Sequence, residues 1–294
     1  MLRWLSSAGA RVRQERHRDI CVWARWNPRN LYDGTTLANF IWTGQFGWIC
    51  FMNNRQAAER ILSLIDLTNL NDVCTDEEVV ELCARAHGEF GTTAAVCIWP
   101  RFVDLSASHL KHTSIKVATV VNFPHGGTDV AAVVDSTLAA LDVGADEIDL
   151  VLPYQSMIKG DEASVVSMLQ AVREIVHAPD HLKVILETGE LSDQGMIRRA
   201  SELAIKAGAD FIKTSTGKTK VSATPEAVTT MLQVIRDSER PVGLKPSGGI
   251  RTIADAQQYL DLADAIMGPQ WATPHTFRFG ASGLLDAVEA ELRS

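Results

Sequence analysis

Two lysines and one aspartate in this chain sit in short apolar runs that would ordinarily exclude charge. In Phe211-Ile212-Lys213-Thr214-Ser215-Thr216-Gly217-Lys218 a lysine ends the run, and a hydroxyl-rich loop with a glycine and a second lysine follows at once. An amine at such a junction is partly stripped of water. Desolvation and neighbouring positive charge both favour its neutral form, which is the nucleophile. The loop offers hydroxyls, backbone N–H groups and a cation, the ingredients of a phosphate cradle. Read alone, a strand-end lysine more often snorkels to solvent than reacts. Its companions shift the balance. Val242-Gly243-Leu244-Lys245-Pro246-Ser247-Gly248-Gly249 repeats the lysine and the small-residue loop, and Phe279-Gly280-Ala281-Ser282-Gly283 adds a third such loop. Asp149, between Ile148 and Leu150, is a carboxylate whose burial is costly unless it is paired. An aspartate with two such lysines is either a structural ion network or a centre for moving protons around a nucleophilic amine. Three small-residue loops beside it favour a phosphorylated substrate, and with it the second reading.

These residues need elements that bring them together. From Arg55 onward, Ala58, Ile61, Leu62 and Ile65 recur at helical spacing, and Thr75-Asp76-Glu77-Glu78 opens a second helix running to about His87. Eight apolar runs follow, at 93–100, 116–122, 147–152, 183–187, 211–214, 242–245, 265–267 and 277–280. Helical segments separate them. One begins at the N-cap and N1 pair Thr224-Pro225, and another spans 192–207 between Ser192 and the stop signal Gly208. Thr252 is placed to cap the helix after the Lys245 loop. This alternation predicts an α/β chain, a (β/α)8 barrel with two additional N-terminal helices. An open doubly wound sheet fits less well, because no GxGxxG follows the first run. In a barrel, chemistry gathers at the C-terminal strand ends, where Lys213, Lys245 and their loops belong. Alternation along the strand points Asp149 inward and packs Ile148 and Leu150 on the helices.

The net charge of −8 argues against nucleic acid or an anionic membrane as the main partner. Cys21, Cys50, Cys74, Cys83 and Cys97 include no CxxC pair, which suggests reduced thiols in a cytoplasmic protein rather than disulfides or a zinc site. His109 and His112 flank Lys111 in a polar stretch and read as a solvated helix end, so no metal or other cofactor is expected. Residues 1–51 stand apart, with seven arginines, no lysine and five of the seven tryptophans, and no helical or strand period. The arginine-rich start superficially looks like a transit peptide, and the uncharged stretch 34–54 is too polar for a membrane helix. This segment is expected to be a disordered or non-native extension, dispensable to a domain formed by residues 52–294.

Val121-Asn122-Phe123-Pro124-His125-Gly126, Asp146-Glu147-Ile148-Asp149, Leu186-Glu187-Thr188-Gly189-Glu190-Leu191, Phe211 to Lys218 and Gly243 to Thr252 together resemble the deoxyribose-phosphate aldolase family. The resemblance runs in order, without large gaps, from about residue 55 to 292. It implies a class I aldolase on a (β/α)8 barrel that needs no metal. The reaction implied is reversible cleavage of 2-deoxy-D-ribose 5-phosphate into acetaldehyde and D-glyceraldehyde 3-phosphate, a step of deoxynucleoside catabolism. It further implies Lys213 as the Schiff-base lysine, Lys245 as the cation that keeps Lys213 unprotonated, and Asp149 as an acid–base group working with a water. Gly217, Lys218, Gly248, Gly249 and Ser282 correspond to the phosphate pocket, and Asp66 and Thr68 to a polar segment at its edge. Cys97 corresponds to a cysteine near the acetaldehyde part of the site, a point of inactivation rather than a catalyst. The implied partners are a small sugar phosphate and a second copy of the chain, as a homodimer.

Two departures from the family pattern stand out. Ser282-Gly283 replaces a Ser-Ser pair of some relatives, which backbone N–H groups can offset. The chain closes on Leu292-Arg293-Ser294 without the tyrosine tail of others, so proton transfer at the acetaldehyde carbon is expected to be slower or to rely on water. Two rival readings are another Schiff-base aldolase or transaldolase acting on ketose phosphates, and a catalytically silent sugar-phosphate-binding barrel. Product identity separates the first; the second has no use for a reactive lysine.

Overall fold

The computed structural model describes Phe40–Trp42, Trp48–Cys50 and residues 54–294 apart from Ser192. Phe40–Trp42 and Trp48–Cys50 pair as a two-stranded sheet. The expectations for the rest of residues 1–51 lie outside the described residues.

Eight short strands make the barrel wall: β1 (Ile65–Asn69), β2 (Ala95–Ile98), β3 (Lys116–Val121), β4 (Glu147–Val151), β5 (His181–Ile185), β6 (Phe211–Lys213), β7 (Gly243–Lys245) and β8 (Phe279–Ala281). All pair in parallel, in the spatial order β7-β6-β5-β4-β3-β2-β1-β8. The ends meet where the N–H of Leu244 donates to Thr276 O at 2.9 Å and that of Gly280 to Pro246 O at 2.9 Å. A parallel sheet covered on both faces is apolar at nearly every position, which is why most of these strands read as unbroken apolar runs. Ile148 and Leu150 belong to the core shared with the helices, as alternation requires.

Helices α1 (Asn54–Leu62), α2 (Asp76–Ala86), α3 (Val103–Leu110), α4 (Val130–Asp142), α5 (Tyr154–Ile158), α6 (Glu162–Arg173), α7 (Gln194–Lys206), α8 (Pro225–Asp237), α9 (Ile253–Met267) and α10 (Leu284–Arg293) surround the wall. Thr75 and Glu78 form a reciprocal capping box on α2, and Thr252 with Asp255 does the same on α9. Thr224 caps α8 ahead of Pro225.

Three placements differ from the sequence expectation. The first barrel strand is Ile65–Asn69, so α2 lies between β1 and β2 and α1 alone precedes the wall. Residues 265–267 are the last turn of α9, not a strand; Ile266 and Met267 extend the buried stripe of Ala256, Tyr259, Leu260 and Ala263. Helix α7 begins at Gln194, with Asp193 accepting from the Gly195 N–H at 3.2 Å; Ser192, the expected start, lies outside the described residues. The count of eight strands survives because one was missed and one was extra.

Candidate active site

The strand register alone gathers the charged residues. β6 and β7 pair Lys213 opposite Lys245, and β4 and β5 pair Asp149 opposite Lys183. Asp149 Oδ2 accepts from Lys213 Nζ at 2.8 Å and from Lys245 Nζ at 2.8 Å, and its Oδ1 accepts from Lys183 Nζ at 2.9 Å. On β1, Asp66 pairs with Lys245 at 2.6 Å and with Arg278 at 2.6 Å. Glu147 completes the set by accepting from Lys183 and, at 3.0 Å, from Arg278.

Burial pushes all three carboxyls toward protonation, but the cations outweigh it. Lys183, Lys213 and Lys245 hold Asp149 well below the usual carboxylate range. Lys183 and Arg278 do the same for Glu147, and Lys245 with Arg278 lowers Asp66. Burial likewise disfavours the lysine charges, yet Asp149 and Glu147 raise Lys183, and Asp149 and Asp66 raise Lys245 well above its ordinary value. Asp66, Glu147 and Asp149 are thus already balanced by Lys183, Lys245 and Arg278. Lys213 has no carboxylate of its own: it shares Asp149 with Lys183 and Lys245. Lys213 is also the lysine that can be reached. It lines the cavity and keeps 3% of its surface, whereas Lys245 is wholly enclosed.

The network has a signature in pH. Unfolded carboxylates titrate near about 4 and lysines near about 10. The depressed carboxyls contribute stability that is complete above their unfolded values and lost as pH falls through the folded ones. The raised Lys183 and Lys245 contribute stability that is complete below their unfolded value and lost as pH rises through the folded one. Urea unfolding midpoints are therefore expected to be insensitive to this network between those limits. Asp149→Asn should lower stability by about 3–5 kcal/mol at neutral pH by stranding buried lysines. A midpoint unchanged by that substitution would show that the ions are not coupled.

Above the network, at the C-terminal strand ends, lies a cavity of about 500 Å³. Thr68, Lys213, Gly217, Lys218, Gly248, Gly249 and Ser282 line it, while Asp66, Cys97, Asp149 and Lys245 are not in its lining and lie buried in the chain. Gly217 has φ +78, and Gly248, at φ +85, sits so close to Ser222 that a Cβ would fall 2.4 Å from its Oγ. Among the described residues, no hydrogen bond takes up the N–H groups of Gly217, Gly249, Ser282 and Gly283. The last two stand at the N-terminus of α10, where the helix dipole favours an anion. The Lys218 amine reaches the opposite rim, donating to Leu70 O at 2.8 Å, 3.6 Å from Asp72 and 5.9 Å above the Trp99 ring.

Burial pushes the Cys97 thiol up, and Asp149, whose Oδ2 is 4.0 Å from its Sγ, pushes it in the same direction. With Ala95, Ala118 and Val120, Cys97 forms a small apolar cluster from β2 and β3. The Thr68 hydroxyl donates to Asp66 O at 2.8 Å and so ties the rim to a member of the network.

Lys183, Glu147 and Arg278 are missing from the sequence-based candidates. Each had the signal that exposed Asp149, a charge within an apolar run or alternating with one: Lys183-Val184-Ile185, Glu147-Ile148-Asp149 and Phe277-Arg278-Phe279.

The sequence profile of the DeoC/LacD family aldolases matches residues 60–287. A deoxyribose-phosphate aldolase of Agrobacterium fabrum (strain C58 / ATCC 33970) is 61% identical over 235 residues, which are 80% of this chain and 91% of that one. Among solved structures, a protein of Coccidioides immitis assigned as a deoxyribose-phosphate aldolase superposes with a TM-score of 0.70 at 32% identity, covering 79% of this chain and 86% of the other. One of Toxoplasma gondii ME49, assigned likewise, gives 0.75 at 26% identity, with 81% and 95% covered.

Proposed function

The chain belongs to the DeoC/LacD family of aldolases, and from that premise we propose that it reversibly cleaves 2-deoxy-D-ribose 5-phosphate to acetaldehyde and D-glyceraldehyde 3-phosphate. The observation that carries this reading is the reachable Lys213 amine, 2.8 Å from Asp149, beneath a cavity rimmed by N–H groups that have no partner among the described residues. In this reading the neutral amine of Lys213 attacks C1 of the open-chain aldehyde, and loss of water leaves a protonated imine. The imine withdraws electrons as the C2–C3 bond breaks. The C3 hydroxyl gives up its proton through a water held by Asp149, C3 leaves as the aldehyde of glyceraldehyde 3-phosphate, and an enamine remains on Lys213. Protonation at C2 and hydrolysis release acetaldehyde and restore the amine. The small apolar cluster of Leu70, Ala95, Cys97, Ala118 and Val120, which meets the cavity through Leu70, would back a two-carbon fragment without polar groups.

In the same reading the phosphate is taken by the N–H groups of Gly217, Gly249 and Ser282, with Gly248 allowing close approach and Lys218 supplying charge. Thr68 and Asp66 shape the near edge. Lys218→Ala is expected to raise KM for the phosphorylated substrate by the equivalent of roughly 2–3 kcal/mol, with little change for unphosphorylated deoxyribose. Equal losses on both substrates would remove Lys218 from the phosphate site.

Product analysis tests the reaction itself. Acetaldehyde formed one-for-one with glyceraldehyde 3-phosphate supports it; a dihydroxyacetone fragment would point to a ketose-phosphate aldolase or transaldolase instead. We place the catalytic domain at residues 52–294. The enzyme is read as a cytoplasmic homodimer, which light scattering and fractionation of native cells would check. Among the described residues no helix is long and apolar enough to cross a membrane.

A further inference from the structure

The loop bearing Gly217 and Lys218 closes around a buried anion of the protein itself. Glu187, two residues beyond β5, has φ +56, a left-handed conformation that costs a residue with a Cβ about 1 kcal/mol or more. Its side chain is fully buried, and among the described residues no cation pairs with it. Its partners are donors of the loop after β6: the Thr216 hydroxyl, the Thr216 N–H at 3.3 Å and the Thr219 hydroxyl at 3.2 Å. A carboxylate only accepts, so the direction of these bonds is set. The Thr216 hydroxyl donates to Glu187 and is left to accept from the Lys218 N–H, which it does at 3.0 Å.

Gly217, between these two anchored residues, has an N–H that no hydrogen bond takes up among the described residues. The two loops also share a tight seam. Thr188 N–H donates to Thr214 O at 2.9 Å, and a Cβ on Gly189 would lie 2.1 Å from Val221 O. Burial pushes the Glu187 carboxyl up, only partly offset by its bonds to Thr216. A buried carboxylate with no cation is a costly way to fasten a loop, and its cost calls for a use.

We propose that Glu187 is a positioning residue for the anion cradle, an internal carboxylate that shapes the Thr216–Lys218 turn from within so that its outer side can take a phosphate. The inference rests on the reading of the cavity as a sugar-phosphate site. Glu187 has no hydrogen bond to Lys213, Asp149 or Lys245, so its influence on the carbon chemistry is expected to be small.

Glu187→Ala and Thr216→Val break the same link from its two sides. Inorganic phosphate is titrated into each full-length variant, and kinetics are measured with 2-deoxyribose 5-phosphate and with 2-deoxyribose. Both variants are expected to bind phosphate about tenfold more weakly and to show KM for the phosphorylated substrate raised by a similar factor, the scale of one charge-assisted hydrogen bond. Turnover at saturation and the rate on 2-deoxyribose should stay within about twofold, as for a loss of uniform binding. Glu187→Gln, which keeps the shape and one accepting oxygen, should fall between wild type and Glu187→Ala. Unchanged phosphate affinity in both variants, or equal losses on the two sugars, overturns the proposal. Should Glu187→Ala not fold, Thr216→Val decides the matter alone. A wild-type enzyme that binds phosphate but leaves 2-deoxyribose 5-phosphate uncleaved would sink the aldolase reading, and the phosphate titration would still judge Glu187.

Discussion

Lys213→Arg is expected to give a folded protein without measurable turnover and without an adduct after borohydride treatment in the presence of 2-deoxyribose 5-phosphate. Arginine keeps a hydrogen-bond donor beside Asp149, which now accepts from Lys213 at 2.8 Å, so the buried network retains a partner at that position. A guanidinium does not deprotonate in proteins and cannot form the imine. The loss should be on the order of 10⁴-fold or more, because every step of the covalent route is removed at once. In the wild-type enzyme, trapping should add mass to Lys213 and to no other lysine. Lys183 and Lys245 are fully enclosed, and Lys218 stands at the rim with its amine on Leu70 O. An adduct mapped by peptide mass to Lys218 or Lys245, or turnover surviving in the arginine variant, would overturn the assignment.

Lys213, Lys245 and Asp149 were legible because each places a charge where the strand period demands burial. That physical conflict is visible in one dimension. β1 was hidden for the opposite reason. Ile65-Asp66-Leu67-Thr68-Asn69 carries little apolar signal, and Ile65 continues the helical spacing of Ala58, Ile61 and Leu62. The mistaken strand at 265–267 arose because three apolar residues at a helix end look like a short buried strand when read without the stripe behind them. The partners of the network depend on closure of the wall. Arg278 meets Asp66 and Glu147 across separations of 212 and 131 residues, and no local pattern encodes such a meeting. The small-residue loops that line the cavity were readable from their glycines and hydroxyls. The reach of Lys218 to Leu70 and the turn of Glu187 into the Thr216 loop follow from backbone angles, which composition does not reveal.

Lys245→Leu is expected to silence the enzyme at neutral pH and to return part of the activity as the pH is raised. Lys245 donates to Asp149 at 2.8 Å, pairs with Asp66 at 2.6 Å, and does not line the cavity. Without it, the partners left to Asp66, Glu147 and Asp149 are Lys183, Arg278, Lys213 and, 3.5 Å from Glu147, His181, and the interior has lost one cation. A proton on Lys213, still beside Asp149, restores the balance. A protonated amine has no lone pair for the carbonyl, so the same ion pair that stabilises the fold now blocks the reaction. Turnover near neutrality should fall on the order of a hundredfold, the scale of removing one close buried charge. The acidic limb of the pH–rate profile should move to higher pH, and borohydride trapping of Lys213 should follow the same curve. Asp66 keeps Arg278 at 2.6 Å, so the barrel is expected to stay folded at a cost of about 3–5 kcal/mol. Phosphate affinity should be untouched, because the cradle lies in loops that Lys245 does not line. An enzyme slower at every pH by one constant factor would show that Lys245 acts on the substrate rather than on the charge of Lys213.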